Sequence, residues 1–270
     1  MLGRDVIEAA GRAGHEAVGL ARADLDITDA AAVREAIAAA APDAVINCAA
    51  WTDVDGAESQ EAAATAVNGD GAGHVAAAAA AIGALVVHVS SDYVFDGATG
   101  KPYAETAATA PQSAYGRSKL AGEHAVTDAG GRSAIVRSSW LFGPNGRNFV
   151  DTMRRLGAER DELAVVDDQV GSPTYTGHLA AALVTIAERG PTGVMHVAGG
   201  GHCSWFDLAV ATFEETGIDC RVRPQDTAAA GRPAPRPAFS VLASTRSDAP
   251  VLPLWRDGLR AHLARVEVIA

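Results

Sequence analysis

Short apolar runs alternate with longer stretches of helical periodicity along most of the chain. Such alternation, with strands rich in Val, Ile and Leu, is typical of an α/β fold with a doubly wound parallel sheet. The predicted strands are residues 16–20, 44–48, 84–89, 133–137, 163–166 and 193–197. The predicted helices are residues 30–40, 61–81, 113–129, 147–158 and 177–188, with a last helix near 255–265.

The chain opens directly on a helical pattern that contains Gly3. A Rossmann-like dinucleotide-binding domain begins instead with an apolar strand and a glycine-rich turn that holds the pyrophosphate. We therefore expect the first strand and the glycine fingerprint to be missing, because the start of the sequence was placed too late or was truncated. The alternative is a shortened protein with a compromised cofactor site. Loss of one buried strand would cost on the order of 10 kcal/mol.

After about residue 200 the strand–helix alternation loosens, and three prolines crowd residues 232–240. This segment is either a linker or a loop that carries Arg232 and Arg236 towards an anionic substrate. We expect residues 1–147 with 176–199 to form the dinucleotide-binding domain. Residues 148–175 with 200–270 would form a smaller substrate-binding region.

A tyrosine and a lysine four positions apart, Tyr115 and Lys119, share one face of a predicted helix. An ammonium beside the phenol is expected to lower the pKa of Tyr115 from its ordinary value of about 10. Ser91 follows an apolar strand, and active-site groups of open α/β sheets lie at the carboxyl ends of strands. A Tyr-x-x-x-Lys pair also occurs on solvated helices, but this strand context favours a centre that moves a proton on or off a sugar or alcohol oxygen.

The composition excludes several other functions. A net charge of −11 with no basic face argues against nucleic-acid binding. No stretch approaches the roughly 20 apolar residues of a membrane span, and no export signal opens the chain. Three cysteines without C-x-x-C spacing fit a reducing cytoplasm, and the histidines show no metal-ligand spacing, so we expect a cytoplasmic protein without a catalytic metal.

Specific motifs extend over nearly the whole chain. They are LDITD at 25–29, NCAAWTDVDGAE at 47–58, SDYVFDG at 91–97, YGRSKLAGE at 115–123, RSSWLFGP at 137–144, NF at 148–149, DQVGSPT at 168–174 and RPAPRP at 232–237. With these motifs the chain resembles the dTDP-4-dehydrorhamnose reductases of the extended short-chain dehydrogenase/reductase family. One departure is Phe239, where a Tyr or Asn is expected.

The resemblance implies NAD(P)H-dependent reduction of the C4 ketone of dTDP-4-dehydro-L-rhamnose to dTDP-L-rhamnose. It implies that Tyr115 donates the proton, that Lys119 binds the nicotinamide ribose, and that Ser91 hydrogen-bonds the reacting oxygen. The implied cofactor contacts are Tyr115 and Lys119 together with Gly3, Arg22, Asp26, Ile27, Ala49, Ala50 and Trp51. The implied substrate contacts are Asp92, Tyr93, Trp140, Asn148, Gln169 and Arg236.

Some alternatives stay open. Arg22 after the second predicted strand favours NADPH, since an arginine there accommodates a 2′-phosphate, but NADH remains an alternative. A sugar-nucleotide epimerase or 4,6-dehydratase shares Tyr-x-x-x-Lys; a dehydratase usually has Asp-Glu after its Ser or Thr, and Asp92-Tyr93 stands here. A non-catalytic, regulatory member of the same fold is the other rival. The implied partners are a dTDP-sugar and, as an open assembly state, a second copy in a homodimer.

Overall fold

The structure is a computed structural model that describes residues 1–269, with the backbone alone for residues 266–269. The α-helices are α1 Leu2–Arg12, α2 Ala30–Ala40, α3 Val54–Ser59, α4 Glu61–Thr65, α5 Gly71–Ala81, α6 Ala114–Asp128, α7 Phe149–Glu159, α8 Thr176–Arg189, α9 Trp205–Thr216, α10 Thr227–Ala230 and α11 Trp255–Ile269. The strands are β1 Ala44–Asn47, β2 Leu85–Ser91, β3 Ser133–Ser138, β4 Leu141–Phe142, β5 Glu162–Val166, β6 Val170–Gly171, β7 Thr174–Tyr175, β8 Gly193–His196, β9 Cys203–Ser204 and β10 Arg221–Gln225. Within residues 1–269, no helix combines the length and the apolarity needed to cross a bilayer.

Four parallel strands in the order β1-β2-β3-β8 form the main sheet. One face of the sheet packs on α1 and α8 through residues such as Val6 and Leu183. The other face packs on α5 and α6, where small residues such as Ala76 allow close approach. Helices therefore cover both faces, and the α/β fold with a Rossmann-like parallel sheet is confirmed.

A second group of elements lies outside the main sheet. It contains the pairs β5–β10, β4–β7 and β6–β9. Helices α7, α9 and α11 pack around two apolar clusters there, one centred on Leu208 and Leu259 and the other on Met153 and Phe213. This grouping supplies a frame for the predicted substrate-binding region, whose boundaries stay a prediction.

Two strand predictions need correction. Residues 16–20 are not a strand, because no strand within residues 1–269 lies beside them, and Val18 and Leu20 are 70% and 53% exposed. Residues 163–166 do form a strand, β5, but it pairs with β10 and not with the main sheet. The apolar alternation predicted β5 correctly, whereas its partner is determined by tertiary packing.

The predicted helix over residues 61–81 is interrupted. A π-helical segment, Ala66–Asp70, separates α4 from α5. The interruption contains Asn68, which is buried and whose side chain bonds the backbone of Trp51 and the hydroxyl of Ser118. These contacts explain why one regular helix was the wrong prediction.

Candidate active site

Strand β2 ends in a serine that serves two local purposes. Ser91 has extended backbone geometry and caps the short 3₁₀ turn Asp92–Val94, accepting a hydrogen bond from the Tyr93 N–H at 3.2 Å. Its hydroxyl also donates to Asp92 Oδ1 at 3.0 Å. In the sheet register Ser91 lies opposite Ser138 of β3. The carboxyl edge of the sheet therefore presents two serine hydroxyls side by side.

Helix α6 brings Tyr115 to this edge. It begins after Ser113, whose side chain accepts a hydrogen bond from the Gly116 N–H at 3.1 Å. A Cβ at Gly116 would lie 2.3 Å from the carbonyl oxygen of Tyr93, so only glycine allows the helix to come this close to the 3₁₀ turn. The rings of Tyr93 and Tyr115 meet edge to face, with their centroids 5.3 Å apart. The close approach places Tyr115 beside Ser91.

The second residue of the pair, Lys119, points into the protein one turn further along α6. It is 2% exposed, and its Nζ donates to the carbonyl oxygen of Val89 at 2.7 Å. Burial lowers the pKa of Lys119 to about 8, while the charge of Glu123 acts in the opposite direction. The ammonium is thereby fixed beneath the Tyr115–Ser91 pair.

The expectation of a lowered pKa for Tyr115 is wrong for this structure. Burial raises the pKa of Tyr115 to about 12, and a hydrogen bond with Ser91 opposes that rise. The phenol is therefore protonated at neutral pH, which is the form that donates a proton. Burial is the dominant cause of this rise, and the Lys119 ammonium is turned towards the carbonyl oxygen of Val89.

The sequence analysis overlooked Asn68. Its side chain accepts from the Trp51 N–H at 2.8 Å and donates to the Trp51 carbonyl oxygen at 3.1 Å. It also donates to the Ser118 hydroxyl at 2.9 Å, and the Trp51 ring packs with Tyr115 against a small alanine cluster. The available signal was an Asn-Gly-Asp-Gly run inside an otherwise alanine-rich helix. Asn68 holds the loop after β1 against α6.

The polar side chains around Lys119 at the end of β1 and on β2 are uncharged. Burial raises the pKa of the Cys48 thiol to about 12. His88 is fully buried, and burial lowers its pKa well below the ordinary value. Asn47 Nδ2 and His88 Nδ1 lie 3.3 Å apart. At neutral pH these side chains supply dipoles and no charge.

The predicted cofactor residues fall into two sets. Trp51 lies beside Tyr115, the N–H of the exposed Ala49 bonds Asn47 Oδ1, and Ala50 follows in the same loop. Gly3 lies across from this loop, since a Cβ placed on it would be 3.8 Å from Cys48 Cβ.

The second set surrounds the turn that precedes α2. Arg22 and Asp26 are exposed there, and hydrogen bonds from Thr28 lower the pKa of Asp26. Ile27 is buried in an apolar cluster with Val33. Its side chain therefore packs in the core against α5, and its carbonyl oxygen lies 3.1 Å from a ring nitrogen of His74 on the same helix.

Residues 232–240, here called the Arg-Pro strap, lie across the edge of the site. Arg236 makes a bidentate pair with Asp55 of α3 at 2.9 and 3.0 Å, and the Ala234 N–H donates to the same carboxylate at 3.1 Å. These contacts lower the pKa of Asp55. Arg232 is more exposed and reaches Asp55 only at 3.5 Å. Arg236 thus anchors the strap in this structure.

Two further predicted substrate residues, Trp140 and Gln169, contact Trp205. Trp140 stacks on Trp205 with centroids 3.5 Å apart, and the indole N–H of Trp205 donates to Gln169 Oε1 at 3.1 Å. Trp140 has a φ of +48°, in the left-handed region that a bulky residue rarely adopts. Asn148 instead caps α7, accepting from the Asp151 N–H at 2.9 Å and donating to the carbonyl oxygen of Gly143. Its predicted role as a substrate contact stays a prediction.

The residues present fit a nicotinamide cofactor. An ammonium has three N–H donors, and Lys119 uses one of them on Val89, which leaves donors for a pair of ribose hydroxyls. The buried Ser138 Oγ has no hydrogen-bond partner among the described residues and lies opposite Ser91. A polar ligand group at this edge would satisfy it.

Comparisons with known proteins agree with this geometry. The family model described as the RmlD substrate binding domain matches residues 1–268. The chain belongs to the RmlD family. A dTDP-4-dehydrorhamnose reductase of Mycobacterium tuberculosis is 49% identical over 273 aligned positions, which cover 97% of this chain and 89% of that relative. The resemblance inferred from the motifs is thereby confirmed.

Solved structures of RmlD-family proteins superpose on the whole fold. A dTDP-4-dehydrorhamnose reductase from Clostridium acetobutylicum has a TM-score of 0.94 at 40% identity, covering 98% of this chain and 96% of that one. The enzyme of the same name from Bacillus anthracis, in complex with NADP, has a TM-score of 0.95 at 36% identity, covering 98% and 95%. The arrangement around β2 and α6 therefore belongs to a fold that binds NADP in a relative.

Proposed function

We propose that this protein reduces the C4 ketone of dTDP-4-dehydro-L-rhamnose with NADPH, giving dTDP-L-rhamnose. The observation that carries the proposal is the meeting of Ser91, Tyr115 and Lys119 where β2 ends and α6 begins. The names of the relatives at 49% and 40% identity supply the substrate.

Tyr115 acts as the general acid. Its pKa of about 12 keeps the phenol protonated, so it can give its proton to the alkoxide that develops at C4. Ser91 lies beside Tyr115, and its hydroxyl, which donates to Asp92 Oδ1 in this structure, would turn to donate to the same substrate oxygen and fix the ketone for attack. The two hydroxyls therefore polarise the carbonyl and neutralise the product oxygen.

Lys119 positions the reactants. Its donors beyond the one used on Val89 would bind the ribose hydroxyls of the cofactor, and its positive charge would stabilise negative charge that passes to the tyrosine oxygen. Trp51, which Asn68 holds in place beside Tyr115, would form the neighbouring wall of the nicotinamide site. When bound, NADPH supplies the hydride. Arg22 would bind the 2′-phosphate, and NADH is the alternative cofactor that a direct comparison tests.

The sugar nucleotide lies between the 3₁₀ turn and the strap in this proposal. Burial raises the pKa of Asp92 to about 6, so at pH 7 this carboxyl is still mainly ionised and would accept a hydrogen bond from a sugar hydroxyl. Trp140 offers a flat face to the sugar or the thymine, with Gln169 fixed behind it through Trp205. Tyr93 and Arg236 form the wall nearest Tyr115.

The test is NADPH oxidation by the purified 270-residue chain with dTDP-4-dehydro-L-rhamnose. Turnover that depends on both substrates, with dTDP-L-rhamnose as the product, supports the proposal. A matched assay with a UDP-4-keto sugar measures the role of the base. If neither sugar nucleotide is turned over while both bind, the non-catalytic reading of this family member replaces the reductase. Assembly as a homodimer is a separate expectation, measured by sedimentation velocity.

A further inference from the structure

Helix α6 contributes one residue to each of two Glu–Arg pairs, which have similar geometry but different surroundings. On the outer face, Arg117 makes two contacts of 2.7 Å with Glu61, and the two side chains are 45% and 44% exposed. On the inner face, Arg137 of β3 contacts Glu123 at 2.8 and 2.6 Å, and both are 5% exposed. A buried ion pair gives little net stability, because desolvation offsets its attraction. The inner pair therefore calls for another explanation.

The inner pair is joined to the catalytic strand. Glu123 lies one turn after Lys119 on α6, and its Oε1 accepts a hydrogen bond from the Ser90 hydroxyl at 2.6 Å. Lys119 donates to Val89, the neighbour of Ser90 on β2. These two contacts fix the axial position of α6 on β2 immediately before Ser91. The inner pair is thereby joined to the residue before Ser91 on β2 and to the helix that carries Tyr115 and Lys119.

The guanidinium of Arg137 is itself oriented by further groups. It lies over the ring of Phe95 at 5.1 Å, and its Nη1 is 3.5 Å from His196 Nε2. His196 Nδ1 lies 3.0 Å from the carbonyl oxygens of Tyr103 and Ala243, so Nδ1 carries the proton and Nε2 accepts. Burial and the Arg137 charge lower the pKa of His196, which keeps it neutral. The Glu123 carboxylate is therefore held by Ser90 and by an Arg137 side chain that is itself fixed by Phe95 and His196.

We propose that Glu123, held by Arg137 and Ser90, is a positioning residue that keeps Lys119 charged and holds α6 in the register that places Tyr115 beside Ser91. The inference rests on the proposed function for the role of Lys119 in turnover. The link from Glu123 to the charge of Lys119 is measurable without turnover.

The sign of the electrostatic effect follows from the groups around Lys119. These are Tyr115 and Glu123 on α6, Cys48 after β1, and His88 on β2, with Arg137 of β3 behind Glu123. Burial keeps Tyr115, Cys48 and His88 neutral near pH 7, so Glu123 is the anion in this set. Removing its charge lowers the pKa of Lys119 further, and removing Arg137 raises it.

The chain offers an unusually clean measurement, because Lys101 and Lys119 are its only lysines. An NMR titration of protein labelled with ¹³C at the lysine Cε gives two signals, and exposed Lys101 is the reference. The titration midpoint of Lys119 should fall in Glu123→Gln and rise in Arg137→Gln, with no change in the control Glu61→Gln. Opposite shifts in the two variants support the proposal, since general structural damage would shift both in the same direction. An unmoved midpoint in Glu123→Gln overturns it.

A second variant covers the case in which a single substitution prevents folding. The double variant Glu123→Gln with Arg137→Gln removes both members of the ion pair, so that neither is left buried without its partner, and it should also lower the Lys119 midpoint. The kinetic counterpart is the pH profile of kcat/KM. Its alkaline limb should move to lower pH in Glu123→Gln and stay in place in Glu61→Gln. Failure of the proposed function would appear as no turnover in the parent, which leaves the NMR result to stand alone.

Discussion

The two ends of the predicted cofactor site are built in contrasting ways. At the reactive end, Lys119 is 2% exposed and donates to Val89, and Asn47 and His88 beside it are buried with their side-chain nitrogens 3.3 Å apart. At the other end, Arg22 and Asp26 lie in an exposed turn whose contacts are local ones, such as those between Asp26 and Thr28. Proton transfer needs fixed dipoles in a dry site, whereas recognition of a charged phosphate tolerates solvent. Substitutions at the reactive end should therefore change the rate, and those at the exposed end should change affinity.

The largest effect is expected at Tyr115. Tyr115→Phe removes the acid and keeps the ring that packs against Tyr93 and Trp51, so kcat should fall by about 10²–10⁴-fold with little change in KM. Steady-state kinetics under saturating NADPH measures both quantities. Tyr175→Phe, in an apolar cluster of the second group of elements, is the matched control and should keep the parent kcat. A Tyr115→Phe rate within a few-fold of the parent would refute the assignment of the acid.

Lys119 should reveal a conflict between activity and stability. Lys119→Met should reduce kcat/KM by about 10²-fold, because the ammonium no longer assists the tyrosine. The same change should stabilise the fold by about 3 kcal/mol near pH 7, since the pKa falls from 10.5 in the unfolded chain to about 8 in the protein. The folded parent binds fewer protons, so its stability should rise with pH from about 8 to 10.5, and the variant should lack this rise.

Urea unfolding at several pH values measures this stability difference. Lys101→Met, at an exposed loop position, is the control and should stay within about 0.5 kcal/mol of the parent. A Lys119→Met variant that is less stable than the parent at pH 7 would contradict the burial cost assigned to this side chain.

At the exposed end, Arg22→Ala should raise KM for NADPH by about tenfold and leave KM for NADH unchanged. The reason is the loss of one charge-assisted contact to the 2′-phosphate. Arg34→Ala, an exposed arginine on α2, serves as the control for general loss of positive charge. An unchanged ratio of the two KM values would show that Arg22 is an ordinary surface residue.

The smallest effects on stability and rate are expected at two helix N-caps, one at the reactive end of the predicted cofactor site and one at its exposed end. Ser113 caps α6 and Asp29 caps α2, and replacing either with Ala should cost about 1 kcal/mol of stability. Only Ser113→Ala should also lower kcat, because α6 carries Tyr115 and Lys119. Thermal unfolding and kinetics on the two variants make the comparison. Equal kcat values in both would mean that the α6 terminus does not hold the reactive end.

The residues that the sequence predicted for the reactive end do lie together in the structure, because the signals that place them are local. Ser113 marks a helix start, the Tyr115–Lys119 spacing defines a face, and an apolar strand ends in Ser91. The buried pair of Glu123 with Arg137 was not predicted, since it joins residues on different elements. Likewise the rise in the pKa of Tyr115 depends on burial, which no spacing reveals.

Two secondary-structure predictions were wrong because contacts between distant parts of the chain determine the local structure there. The alternation at residues 16–20 is typical of a strand, but a strand forms only where a neighbouring strand accepts and donates its hydrogen bonds. Among residues 1–269, no strand pairs with this segment. The helix over residues 61–81 was predicted from alanine content, yet Asn68 is drawn into bonds with Trp51 and Ser118. Arg236 was predicted to contact the substrate, and this stays a prediction; its pair with Asp55, which the spacing did not reveal, also holds the strap.

The partly buried thiol of Cys48 beside Lys119 provides a chemical probe of local opening. Thiolates, not thiols, react with alkylating reagents, and the pKa of Cys48 is raised to about 12. Cys203 is buried in an apolar cluster of the second group of elements, whereas Cys220 lies closer to the surface. The order in which the three thiols are alkylated without denaturant therefore times the opening of separate regions. The alkylation rate of Cys48 reports how often the reactive end exchanges with water.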